Sequence, residues 1–150
     1  MNVQDQGHIA VIDPADDTIR RTIDTPGCDT NHGLYIDPDG RVAFVACEAN
    51  AKLLTIDLDS GTTTATIDTG RSPDVLAFDY GLRRLYVASE SGTVTVLDQD
   101  GQGLRKIAEA QLSDTAHTVA VDPATHRVYF PLENVDGHPV LRVMEPTSRS

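Results

Sequence analysis

At 150 residues, 39% of them apolar, the chain can bury a single core, and because Trp is absent and aromatics make up only 5%, that core has to be built from Val, Ile, Leu and Ala. A formal net charge of -11, from 12 Lys and Arg against 23 Asp and Glu, argues against binding the phosphate backbone of nucleic acid. No apolar run approaches the roughly 18 residues that a membrane-spanning helix needs, so membrane insertion is not expected, and the polar opening MNVQDQGH does not read as a signal peptide.

The first apolar run is Ile9-Ala10-Val11-Ile12-Asp13, followed by a second from Thr18 to Asp24. Leu34-Tyr35-Ile36 then ends in Asp37 and the turn residues Pro38-Asp39-Gly40, and Val42-Ala43-Phe44-Val45-Ala46 follows. Leu53-Leu54-Thr55-Ile56 and Thr64-Ala65-Thr66-Ile67 complete a group of four short runs. The group recurs downstream, where Thr93-Val94-Thr95-Val96-Leu97 shows the period-two alternation of a strand. No helical stripe is present.

Three segments align: HGLYIDPDGRVAFVACEAN from His32, DVLAFDYGLRRLYVASESG from Asp74 and HTVAVDPATHRVYFPLEN from His117. Asp37, Asp79 and Asp122 are 42 and 43 residues apart, and Phe44, Tyr86 and Tyr129 repeat both steps. Four short strands at this period form the blade of a β-propeller. With strands A to D named from the central channel outward, Asp13, Asp57 and Asp98 are equivalent, so the first run is a strand C. The expected fold is all-β, a partial propeller of four-stranded antiparallel blades. The pieces fall at about 7–25, 31–69, 74–112 and 116–146, roughly 13 strands, or three to three and a half blades of a seven-bladed ring. An open arc exposes apolar end faces. The expectation is therefore a C-terminal half of a longer chain, or two copies completing a ring as a homodimer.

The strand Leu85-Tyr86-Val87-Ala88-Ser89, weaker forms at Ala43-Phe44-Val45-Ala46 and Val128-Tyr129-Phe130, and the stretch AHTVAVDPATHRVYFPLEN resemble the YVTN-type β-propeller repeat of bacterial YncE-like proteins. The resemblance covers nearly all of residues 7–146. It implies chains about twice this length, a periplasmic or extracellular location, and binding of partners through a propeller face. DNA binding, proposed for some relatives, runs against the charge.

A second constellation repeats with the blades. Glu48, Glu90 and Glu133 follow strand B, and His32, Asp74 and His117 open strand A. Pairing Asp37 with Val42 sets His32 opposite Cys47, Asn31 opposite Glu48, Pro73 opposite Glu90 and Ala116 opposite Glu133. Each Glu then lies diagonally beside a His or Asp within about 5–8 Å. Loops of one propeller face would gather these groups, with Asn50 and Asn134, around the channel mouth. His32, Asp74, His117, Asn50 and Asn134 are candidates for binding a small polar ligand, and Glu48, Glu90 and Glu133 for a divalent cation. His117 with Glu133, and next His32 with Glu48, could act as a general base and its orienter. Equally, strand-end carboxylates and imidazoles satisfy loop N–H groups, and their repetition in every blade favours that structural role.

Cys28 and Cys47 are the only cysteines and do not form a zinc motif. They either form a disulfide that staples the loop before strand A to its own blade, or remain two thiols with Cys47 buried. A Cys28–His32 nucleophile pair is a remote third reading. Asp57-Leu58-Asp59-Ser60-Gly61 lacks the later ligands of a calcium loop and reads as a hairpin turn. His8, His126 and His138, and the pairs Arg20-Arg21, Arg83-Arg84 and Arg105-Lys106, read as solvated surface. The expected function is a non-enzymatic binding or scaffold module for a protein or small polar ligand. The alternative is a metal-assisted lyase or hydrolase of the streptogramin-lyase or lactonase kind at the channel mouth.

Overall fold

The computed structural model describes residues 1–101 and 103–146. They form four antiparallel sheets, taken in chain order. The first contains β1 (Asn2–Val3), β2 (His8–Asp13) and β3 (Thr18–Asp24), with one 3-10 turn at Gln4–Gln6. The second contains β4 (Asn31–Asp37), β5 (Val42–Cys47), β6 (Lys52–Asp57) and β7 (Thr62–Asp68). The third contains β8 (Pro73–Asp79), β9 (Arg84–Ser89), β10 (Thr93–Asp100) and β11 (Gly103–Gln111). The fourth contains β12 (Ala120–Asp122), β13 (Arg127–Val135) and β14 (His138–Met144). β1 goes beyond the sequence reading: a two-residue strand in a polar leader carries no periodicity, and it exists because it pairs with β2 at Asn2–Ile9 and Val3–His8.

Burial falls from the second strand of each full sheet outward. All of β5 is buried, whereas β7 alternates exposed and half-buried positions. A strand covered on both faces needs a sheet on each side, which is why its residues are continuously apolar. Three clusters provide that cover. Ile9 and Ile23 pack on Ala43, Val45 and Cys47; Val42, Phe44 and Ala46 on Leu85 and Val87; Tyr86 and Ala88 on Val128, Phe130 and Leu132. Each fully buried Leu, Val, Ile or Phe side chain contributes about 1.5–3 kcal/mol. The inner strands β4, β8 and β12 lie side by side, so successive sheets converge on one edge.

The repeated Asp acts between sheets at the ends of β4 and β8, whereas Asp122 at the end of β12 is half-buried and accepts only within its own turn, from the Ala124 amide and Thr125 Oγ1. Asp37 is fully buried and accepts from Arg83 Nη2 at 2.6 Å and Gln99 Nε2 at 3.1 Å. Asp79, also fully buried, accepts from His126 Nδ1 at 2.8 Å and from the Leu82 amide at 3.0 Å. Arg83 and His126 stand at equivalent turn positions with φ of +51° and +61°, and each belongs to the sheet after that of its Asp. His126 and Arg83 are therefore clasps and not solvated surface. Sequence pattern alone could not show this, because the partner lies 46 or 47 residues away. Arg84 likewise departs from the solvated reading, being 11% exposed and bonded through Nε to Asp98 at 2.8 Å.

Cys28 and Cys47 form a disulfide with Cα atoms 5.1 Å apart. Both sulfurs are consumed, so a Cys28–His32 nucleophile pair is ruled out. The Asp57 turn is a hairpin connection, Asp57 Oδ1 accepting from the Ser60 amide at 2.7 Å.

Opening the 19-residue Cys28–Cys47 loop, by reduction or by the Cys28→Ala/Cys47→Ala double variant, is expected to lower unfolding free energy by about 3 kcal/mol, read from urea midpoints. Burial pushes the Asp37 carboxyl up, but Arg83, the Gly40 amide and Gln99 together outweigh it, and it titrates below the usual carboxylate range. The stabilisation is present above the unfolded value of about 3.9 and is lost as pH falls through the lower folded value. Asp37→Asn should cost about 2 kcal/mol near pH 7 and flatten the acid limb of stability, as measured by urea unfolding across pH.

Candidate functional site

Two bulges build the site. Pairing between β4 and β5 runs from Asp37–Val42 to Leu34–Val45, then skips to Asn31–Cys47. Asn31, and not His32, therefore faces Cys47. Between β8 and β9 the pairing skips from Val75–Ala88 to Pro73–Ser89, so Pro73 faces Ser89 and not Glu90. An extra residue on the bulged strand re-aims the side chains around it. Gly33 permits the first bulge: a Cβ there would lie 2.0 Å from the Asp74 carbonyl oxygen, so only glycine lets the two inner strands approach this closely.

The bulges bring His32 and Asp74 of adjacent sheets together. His32 Nε2 lies 3.0 Å from Asp74 Oδ1, and His32 Nδ1 lies 3.5 Å from Glu48 Oε2. Gln4 donates to Glu48 Oε2 at 3.1 Å, and Asn2 donates to the carbonyls of His32 at 2.8 Å and Gly33 at 3.2 Å. Asn2 and Gln4 are site residues that the sequence reading did not pick. They belong to the polar leader, and only the pairing of β1 carries them here. His32 is 43% exposed, so the cluster opens to solvent.

The remaining candidates are dispersed. No hydrogen bond or ion pair joins His117 to Glu133 among the described residues, and His117 lies before the shortened inner strand β12. Glu90 is exposed and follows β9. Asn50 donates to the Gly27 carbonyl at 2.9 Å and accepts from the Asp29 amide at 3.3 Å, so it holds the loop before β4. Asn134 accepts from the Gly137 amide at 2.7 Å and closes the β13–β14 turn. Among the described residues no group of three or more His, Cys, Asp and Glu side chains is arranged to hold a metal ion, and Glu48, Glu90 and Glu133 do not form one. Both ring nitrogens of His32 face carboxylates, one on its own sheet and one on the next. A free base poised over a substrate would need one nitrogen unengaged.

No protein-family model matches the chain, and no curated protein matches it. Among solved structures it is similar to Kuenenia stuttgartiensis hydrazine synthase, with a TM-score of 0.77 and 16% identity over 97% of this chain and 46% of that one. It is similar to a chain of the mitotic checkpoint complex, with a TM-score of 0.76 and 11% identity over 95% of this chain and 44% of that one. It is also similar to the dihydro-heme d1 dehydrogenase NirN in complex with DHE, with a TM-score of 0.64 and 21% identity over 93% of this chain and 33% of that one. The chain thus spans less than half the length of each of these matched chains. At these identities the likeness carries the fold alone. The described residues are β-propeller blades, two of four strands flanked by two of three.

Proposed function

We propose that the chain is a non-enzymatic binding module whose channel-mouth end takes a cationic partner. The observation that carries this reading is the solvent-open cluster in which His32 bridges Glu48 and Asp74 across two blades. Around it, the same end of the sheets carries Asp29, Asp68, Glu90, Asp114, Glu133 and Asp136. Against these stand Arg71 and Lys52, and Lys52 is already paired with Asp68. A face with one dominant sign of charge steers and orients a partner of the other sign. A Lys- or Arg-rich segment of a protein fits this chemistry. One of the similar structures is a propeller within a multi-protein complex, which supports a protein as the partner.

The YVTN-type repeat is the finer family reading we favour, on the strength of Leu85-Tyr86-Val87-Ala88-Ser89, a strand buried along its length. A periplasmic or extracellular setting goes with it. The Cys28–Cys47 disulfide supports that setting, since such bonds persist in oxidising compartments.

Deca-lysine is the probe for the acidic mouth. Titration calorimetry at low salt should show binding that weakens steeply as salt is raised, and the Glu48→Gln/Asp74→Asn double variant should bind at least about fivefold more weakly. No binding at low salt, or equal binding by the double variant, would remove the proposal.

A further inference from the structure

Equivalent positions on successive blades differ in one place. Val42, Phe44 and Ala46 of β5 face the next blade as an apolar row. Their counterparts on β9, one repeat of 42 residues later, are Arg84, Tyr86 and Ala88. A charge and a phenol thus replace Val and Phe at an inter-blade face. Burying such groups is costly unless they are paired, and departures from a repeat's own pattern tend to mark function.

Arg84 and Tyr86 line a cleft of about 650 Å³ between the third and fourth blades. Val94, Val96, Ile107, Leu112, Phe130 and Met144 supply its apolar walls. The polar groups converge at one end. Arg84 and Asp98 are 11% and 10% exposed, and Arg105 Nη2 lies 3.9 Å from the same carboxylate, so two guanidinium groups share one aspartate. Tyr86 is 6% exposed, and its buried hydroxyl lies beside the Arg84 guanidinium, a donor, with no acceptor for its own proton. Glu145, at the rim, is paired with Arg127 at 2.9 Å. The local balance at the polar end is therefore positive.

We infer that this cleft is a binding site for a small amphipathic carboxylate. Its apolar body lies along the Val, Ile and Phe walls, and its carboxylate accepts from the Tyr86 hydroxyl and faces Arg84 and Arg105. The volume falls in the range of small-molecule sites, which are mostly apolar with a few placed polar groups. Burial raises the Tyr86 phenol above its ordinary range, with the Arg84 cation pulling the other way, so Tyr86 is an O–H donor at neutral pH. The site is separate from the acidic channel mouth, and either can fail without the other.

Calorimetric titration of the chain with decanoic acid, and with methyl decanoate as its uncharged twin, tests this. The expected result is one saturable decanoate per chain, with the ester at least about tenfold weaker. Tyr86→Phe, which keeps the ring, should weaken decanoate about fivefold, in line with the loss of one hydrogen bond. Ala110→Trp, which fills the cleft, should abolish binding while circular dichroism shows the sheets intact. Absence of saturable decanoate binding would overturn the site. So would equal binding of acid and ester, or affinity unchanged in both variants.

Discussion

The second strand of each full blade has two faces to cover and no helix to cover them. β5 is buried at every position, with Ala43, Val45 and Cys47 turned to one neighbouring sheet and Val42, Phe44 and Ala46 to the other. Such a strand is stable only as the middle of a stack. The stacking in turn sets the approach of the inner strands, the need for Gly33, and the place where polar side chains from adjacent sheets meet. The core terms are dispersed over three clusters of modest side chains, as a chain without Trp requires.

Apolar packing orders the sheets in a stack but has little directional preference. The buried Asp at the ends of β4 and β8 adds direction. Asp37 and Asp79 each take a nitrogen-bearing side chain from the turn of the following blade, Arg83 in one case and His126 in the other. A buried carboxylate left unpaired would be strongly destabilising, so each clasp restricts how far adjacent blades can slide. The disulfide does related work at the other end, tying the loop before β4 to its own blade and placing Asn31 and His32. The His32 cluster lies at this disulfide end, positioned by the bulge and open to solvent.

The two candidate sites use opposite physics. At the channel mouth, carboxylates gather in solvent, where long-range attraction matters and individual contacts are weak. In the cleft between the third and fourth blades, few polar groups act within apolar walls, where each hydrogen bond is worth more because the local dielectric is low. A propeller can host both because its loops and its inter-blade faces are built by different residues of the same repeat.

Much of this was legible in the residues themselves. A period of 42 to 43, Asp at the close of each inner strand and alternating apolar runs determined strands, sheets and their order, because a blade is a local object whose hairpins are set by neighbouring residues. The tertiary structure decided everything that depends on a distant partner. It placed His126 on Asp79, turned Arg83 and Arg84 inward, recruited Asn2 and Gln4 from a leader without periodicity, and shifted Asn31 and Pro73 by one residue through bulges. A bulge changes pairing without changing hydrophobic pattern, and a clasp between blades joins residues more than 40 positions apart, so neither leaves a mark that local spacing can carry.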